Sequence, residues 1–274
     1  MKKIMIIIFF IFLNLTYSKE AYIASFNVLR LGENKKDYVR LAKIISNFDL
    51  VGLVEVMNRK GIQELVDALN KETKEKWDYH LSPHSVGKSS YKEYYGYVYK
   101  RNSVKLIKKG KFYPNLENKF SRSPYGTTFK IGEFDFTLVM SHSVYGKSKT
   151  LRRVEAFNYD EVYDYFQELE KEEQDILIAG DFNLVGNDEG FDQLINGHKD
   201  DIVYGIDPRL KTTVGTNKLV NSYDNIFISK KYTKEFEGKS GVYNFINKDF
   251  LGSRKWISDH LPVFIIVNTT EDDD

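Results

Sequence analysis

Ile176-Leu177-Ile178-Ala179-Gly180-Asp181-Phe182-Asn183-Leu184 is the stretch on which the reading of this chain turns. A short apolar run rich in branched residues predicts a buried strand, and Gly-Asp-Phe-Asn sets a carboxylate and a carboxamide at its mouth. Taken alone, Gly-Asp and Asn are also ordinary turn formers, so the neighbouring segments decide what the stretch does.

Upstream, residues 150–171 predict the longest helix, with Leu151, Val154, Phe157, Val162, Tyr165, Phe166 and Leu169 as its apolar stripe and residues 170–173 as its solvated end. Downstream, residues 187–221 are polar and Gly-rich, which predicts a long loop with one short helix near residues 191–195. Strand character resumes over residues 222–229 around Asp224. Ser258-Asp259-His260-Leu261-Pro262 then feeds a terminal strand, followed by a frayed acidic tail at residues 269–274.

The first half alternates strands and helices. Residues 22–29 predict a strand that carries Asn27 among apolar neighbours, and residues 37–48 a helix with one buried face. Residues 49–56 predict a second buried strand with Glu55 inside it. An ionised carboxylate there requires a metal, a cation or a shifted pKa to compensate it. A helix over 62–70 follows, then strands over 77–81 and 94–100 flanking a long loop whose length points to function. Further strands over 104–108, 126–131 and 134–141 end by delivering His142. This order suits two sheets packed face to face with helices outside. No internal repeat and no composition break divides residues 19–274, which are expected to form one domain.

Composition narrows the function. Among 274 residues, 40 basic against 39 acidic side chains give a net charge of +1, so no global field marks a nucleic-acid or membrane-surface binder. An anionic substrate must be held by a local basic patch or by metal. Lys2-Lys3, the apolar run 4–13 and the polar, small residues 14–18 follow the order of a secretory signal, with cleavage expected after about Ser18. Thr16-Tyr17-Ser18 departs from the preferred small-x-small site, and an uncleaved anchor is the alternative, although the apolar run is short for a bilayer. The mature chain is then expected to be secreted or periplasmic, without stable membrane association. With no cysteine, neither lipoprotein attachment nor a disulfide can form, so stability outside the cell must come from the core, to which bound metal could add.

Polar residues recur at the predicted strand ends: Asn27, Glu55, His142, Asp181, Asn183, Asp224, Asp259 and His260. Carboxylates, amides and two histidines match the needs of a hard divalent cation plus an acid-base pair. Oxygen donors without cysteine favour magnesium, manganese or calcium over zinc.

Ser25-Phe26-Asn27, Val54-Glu55-Val56, Ser141-His142, Gly180-Asp181-Phe182-Asn183, Tyr223-Asp224-Asn225-Ile226 and Ser258-Asp259-His260-Leu261-Pro262-Val263 stand in the order and spacing of a known family. The chain resembles the endonuclease/exonuclease/phosphatase superfamily over essentially its whole length after the signal. Ser89-Ser90-Tyr91-Lys92-Glu93-Tyr94, with Phe120-Ser121-Arg122-Ser123-Pro124, is similar to the deoxyribonuclease I branch. The resemblance implies an α+β fold, a four-layer αββα sandwich with two mainly antiparallel sheets and the site at one end. By similarity, Glu55 holds a catalytic magnesium, with manganese as an alternative, and Asn27 and Asp259 lie in its shell. Asp224 orients His260, which helps activate water, and Glu93 pairs with His142, which protonates the departing 3′ oxygen. Asp181 and Asn183 orient the nucleophile and stabilise developing charge, and Tyr91 and Arg122 contact substrate phosphates. The implied activity is a secreted metal-dependent endonuclease cutting DNA with little sequence preference, acting as a monomer without a protein partner.

The chain departs from this pattern at three places. Leu29 and Met57 occupy the positions from which DNA-cutting members send arginines into the minor groove, while Arg30 and Arg59 stand close by. His142-Ser143-Val144-Tyr145 replaces a His-x-x-Pro turn. The disulfide of secreted animal relatives is missing, so a structural calcium is compatible with the chain but not implied by it. Two other readings keep the fold: a phospholipid or phosphoinositide phosphodiesterase or phosphatase, and a non-catalytic surface-binding protein. The second would be expected to have lost site residues, and none of the main eight is missing.

Overall fold

The computed structural model describes residues 19–88, 90–146, 148–169 and 174–272. The expected signal segment, the end of the predicted helix at 170–173, Ser89 of the loop motif and the last two residues of the tail lie outside these. In chain order the elements are β1 (Glu20–Leu31), α1 (Tyr38–Ile45), β2 (Leu50–Val56), α2 (Arg59–Glu72), β3 (Trp77–Leu81), β4 (Tyr94–Lys100), β5 (Val104–Phe112), β6 (Tyr125–Ile131), β7 (Phe134–His142), α3 (Lys149–Ala156), α4 (Tyr159–Leu169), β8 (Ile176–Asp181), β9 (Ile202–Tyr204), β10 (Asp224–Ser229), β11 (Ser240–Val242), α5 (Phe250–Trp256) and β12 (Val263–Asn268).

The strands form two six-stranded sheets, ordered β11-β12-β1-β2-β4-β3 and β5-β6-β7-β8-β10-β9. Each is antiparallel except for one central parallel pair, β1 with β2 and β7 with β8. Three apolar layers explain the stacking. Tyr95, Tyr97, Phe129, Phe136, Leu138, Leu177, Ile226 and Ile265 fill the space between the sheets. Ala24, Phe26, Val51 and Leu53 face α1 and α2 through Leu41, Ile45, Leu65 and Leu69. Val139, Ile176 and Ile178 face α4 through Val162, Tyr163 and Phe166. The expected α+β, four-layer αββα sandwich is therefore the fold observed. Deep between the sheets the Tyr97 hydroxyl is satisfied by the carbonyls of Tyr125 at 2.7 Å and Leu138 at 3.0 Å.

The predicted 150–171 helix is two helices. Phe157 caps α3 by donating its N–H to the Arg153 carbonyl, and the chain turns at Phe157-Asn158 before α4 begins. The break rotates the first half of the stripe outward. Leu151, Val154 and Phe157 are 61%, 58% and 52% exposed, and α3 buries Glu155 and Ala156 instead. Two three-residue strands, β9 and β11, and the helix α5 were not predicted. The strands are too short to show a period, and α5 carries Gly252 and an exposed Leu251 where an amphipathic signal would need apolar burial. The expected helix near 191–195 is a 3-10 turn at Glu189–Phe191 followed by a π turn at Gln193–Gly197.

Candidate active site

Alternate residues of each strand face the opposite sheet. On that inner face lie Ile23 of β1, Tyr95 and Tyr97 of β4, Leu138 and Met140 of β7, Leu177 and Ala179 of β8, and Ile226 and Ile228 of β10. Continuing the alternation past each apolar run reaches Asn27, Glu93, His142, Asp181 and Asp224, all buried. The site is thus the inter-sheet core continued to one end of the strands with polar residues. Glu55 breaks this count. By alternation it would face the helices with Val51 and Leu53, but a left-handed φ of 62° turns it, and the β2–β4 register shifts between Leu53 and Val56. Leu29, Arg30 and Asn183 are also left-handed, at φ 48°, 56° and 53°. Such conformations cost non-glycine residues about 1–2 kcal/mol each, and their clustering at one site marks where the fold stores strain.

The geometry converges on Asp181. Its Oδ2 accepts from Asn27 Nδ2 at 3.1 Å and lies 3.6 Å from His142 Nε2 and 3.4 Å from His260 Nε2. Its Oδ1 accepts from the Asn183 N–H at 3.0 Å. Each histidine is backed by a second carboxylate on its other nitrogen, Glu93 at 2.8 Å for His142 and Asp224 at 2.8 Å for His260. Burial lowers the His142 pKa, but Glu93, by charge and hydrogen bond, together with Asp181 leaves the ring above its ordinary value, with Arg122 acting in the opposite sense. Burial lowers that of His260 too, and Asp224 and Asp181 together raise it well above the usual range.

Glu55 and Asp259 line the same cleft, of about 560 Å³, as His142, Asp181, Asn183 and His260. Asn27 Nδ2 also donates to Glu55 Oε1 at 3.0 Å, so one amide bridges Glu55 and Asp181. The Arg30 N–H donates to Glu55 Oε2 at 3.1 Å, and the Tyr91 hydroxyl bonds to the same carboxylate. The oxygens of two carboxylates fit a hard divalent cation. Asn27 turns its Nδ2 toward Glu55 and its Oδ1 accepts the Leu29 N–H at 2.9 Å, so the amide fixes Glu55. Asp181, Asp224 and His260 bring three donor atoms within 4.8 Å of one another. Asp175, Glu235 and Asp272 form a comparable group at the far end of the sheets.

Tyr91 lies between two arginines, with the guanidinium carbons of Arg30 and Arg122 at 5.0 and 5.3 Å from its ring centroid. Arg122 is only 12% exposed at its side chain. It reaches the His142 carbonyl at 3.2 Å and the Glu93 carboxylate at 3.5 Å, so it braces the Glu93–His142 pair as well as lining the cleft. All of the sequence-predicted site residues therefore gather at one end of the sheets. Of the two arginines near the departures from the family pattern, Arg30 lines this cleft, while Arg59 lines a separate one beside Tyr79 and Lys109.

Sequence reasoning missed two supporting residues. Lys36 is buried and donates to the Ile257 carbonyl at 2.7 Å, pinning the turn that carries Asp259 and His260. Burial lowers its pKa to about 8 against the pull of Asp259 and Glu55. Glu155 accepts from the Ser121 N–H at 2.5 Å and from the Val144 N–H, tying together the loops that carry Arg122 and His142. Burial raises its pKa, and those two N–H groups oppose the shift. Nothing in the Lys35-Lys36 pair separates a buried ammonium from a solvated one. For Glu155, recognising the helix break at Phe157-Asn158 would have exposed its inward position.

Residues 24–260 match the profile of the endonuclease/exonuclease/phosphatase family. A deoxyribonuclease of Thioalkalivibrio sp. (strain K90mix) is 28% identical over 91% of this chain and 72% of its own. Deoxyribonuclease-1 of Mus musculus is 29% identical over 59% of each chain, so that match spans about three fifths of the animal enzyme. The crystal structure of an endonuclease/exonuclease/phosphatase from Bacteroides vulgatus superposes with a TM-score of 0.64 at 15% identity, covering 92% of this chain and 99% of that one. The chain belongs to the endonuclease/exonuclease/phosphatase family and is a phosphodiester hydrolase.

Proposed function

We propose that this chain is an extracytoplasmic, magnesium-dependent endonuclease that hydrolyses DNA phosphodiester bonds with little sequence preference, acting as a monomer and leaving 5′-phosphate ends. The observation that carries the reading is the convergence of two carboxylate-backed histidines on Asp181 Oδ2, beside the Glu55 and Asp259 carboxylates. Secretion rests on the charged, apolar and small-residue order of the first eighteen positions. The deoxyribonuclease names of the relatives support DNA as substrate.

Glu55 and Asp259 would hold magnesium or manganese, with Asn27 fixing Glu55 through its Nδ2, and the ion when bound supplies charge neutralisation at a phosphoryl oxygen. Asp181 and Asn183 orient the attacking water, and His260, fixed by Asp224, assists its activation. His142 Nε2 delivers a proton to the departing 3′ oxygen, its tautomer set by Glu93 at Nδ1. The inner-face donors also meet charge as it develops on the transition state. Tyr91, Arg30 and Arg122 meet backbone phosphates, which position a strand without reading its sequence, so the rate is expected to fall steeply with salt.

A general acid works protonated, so activity falls as pH rises through its pKa. The Glu93 carboxylate raises the His142 pKa and so extends activity to higher pH. Glu93→Gln is expected to pull the alkaline limb of the kcat profile down by about one to two pH units. An unmoved limb would show that His142 is not the acid.

A phosphodiesterase working at a lipid surface is the second reading. It is favoured by the exposed Leu151, Val154 and Phe157 of α3, in the helix that follows the loop carrying Tyr145 of the cleft rim. Among the described residues no helix is long and apolar enough to cross a membrane. Incubating residues 19–274 with plasmid DNA, RNA and sphingomyelin in magnesium separates the readings. Cleavage of DNA in preference to both others is expected, and turnover of sphingomyelin alone would transfer the function to lipid.

A further inference from the structure

We infer that Arg254 is a substrate-binding residue that grips a backbone phosphate on the far wall of the cleft, opposite Arg30, so that the site holds a strand on both sides of the bond it cuts. The inference rests on the nucleic-acid reading and adds Arg254, which that reading does not use.

The strand order fixes the two walls. Tyr91 and Glu93 lie just before β4, whereas Asp259 and His260 lie just before β12, and β1 and β2 separate these strands in the sheet. Arg30 stacks on Tyr91 and so belongs to the β4 wall. It is brought there by the left-handed pair Leu29-Arg30, across which the β1–β2 register shifts. Both that shift and its backbone bond to Glu55 turn the arginine into the cleft, where an uninterrupted strand would have alternated past it.

Arg254 stands on the β12 wall. It lies in the last turn of α5, where the helix terminus favours a cation. Its Nη1 donates to the Val214 carbonyl, and its Nη2 lies 3.7 Å from Asp259 Oδ2. Val214 is itself fixed by donating to the Asp259 carbonyl at 2.7 Å, and Leu261 donates to the Thr212 carbonyl at 2.7 Å. The wall is therefore a rigid loop locked onto the catalytic turn. Arg254 remains 38% exposed at its side chain and lines the cleft, so part of its planar fork of donors faces the space a phosphate would enter. With Arg30 and Arg122 on one wall, Arg254 on the other and the two histidines between, a backbone crossing the cleft meets a cation before and after the reacting phosphorus. A site built this way gains from phosphates on both sides and favours internal bonds over chain ends.

The test uses short DNA oligonucleotides with one cleavable bond, extended by phosphates on the 5′ side, the 3′ side or both, at several salt concentrations. Wild type is expected to gain kcat/KM from each extension. Arg254→Ala should lose the gain from one side and Arg30→Ala from the other. Each should raise KM several-fold more than it lowers kcat and reduce the slope of log kcat/KM against log salt by about one. Arg254→Lys should restore the salt slope. Both variants losing the same side, neither losing any, or an Arg254→Ala defect confined to kcat with a lowered melting temperature would overturn the inference and leave Arg254 a strut of the loop. Wild type cutting none of these DNAs would instead overturn the nuclease reading itself.

Discussion

Asp181→Asn is expected to lower kcat for DNA cleavage by about a thousand- to ten-thousandfold while the protein still folds. The substitution keeps the volume but not the acceptors. Asp181 Oδ2 faces donors or ring nitrogens from Asn27, His142 and His260, and Oδ1 accepts the Asn183 N–H. An asparagine has one oxygen for these four approaches, and its amide N–H₂ would oppose the Asn27 amide or the Asn183 N–H. The loss is felt at both histidines, because the Asp181 charge contributes to the raised pKa of each. Steady-state kinetics beside circular dichroism checks this. A folded Asp181→Asn protein within tenfold of wild-type kcat would remove Asp181 from the centre of the chemistry.

Gly180→Ala is expected to destabilise the fold by more than about 3 kcal/mol, enough to deplete the soluble protein. Gly180 has φ 152°, and a Cβ there would stand 1.7 Å from the Ser141 carbonyl oxygen in the neighbouring strand β7. That oxygen is backbone in a central parallel pair, with Ser141 opposite Gly180 and His142 opposite Asp181, so it cannot move without breaking the register that sets His142 beside Asp181. Chemical denaturation followed by circular dichroism measures the loss. A midpoint equal to wild type would mean that β7 and β8 do not approach as closely as this geometry requires.

Much of the site was legible because it obeys strand alternation. His142, Asp181 and Asp224 each extend an apolar inner face by one step, and Asn27 by two, past Ser25, so polar residues at the ends of buried strands were sufficient signal. The Gly-Asp-Phe-Asn stretch carried most, since its glycine permits the close strand approach and its carboxylate receives both histidines. What stayed hidden depends on local departures from the period. Glu55 was legible as a carboxylate inside an apolar run and Arg30 as a neighbour of Leu29, but the left-handed φ that turns each into the cleft has no composition signature. The inward face of α3 was misassigned because an apolar stripe of Leu151, Val154 and Phe157 suggested burial. The real helix packs over polar strand ends, where Glu155 and its accepted N–H groups are worth more than apolar contact. Lys36 was hidden because its burial comes from a distant turn around Ile257.

Conversion of supercoiled plasmid to nicked circles by residues 19–274 tests the central claim most directly, with wild type and Asp181→Asn compared in magnesium and in chelator. Nicking by wild type in magnesium alone, with the variant slowed by about three orders of magnitude or more, is the result predicted. Intact plasmid with wild type in magnesium, or equal nicking by the two proteins, would contradict it.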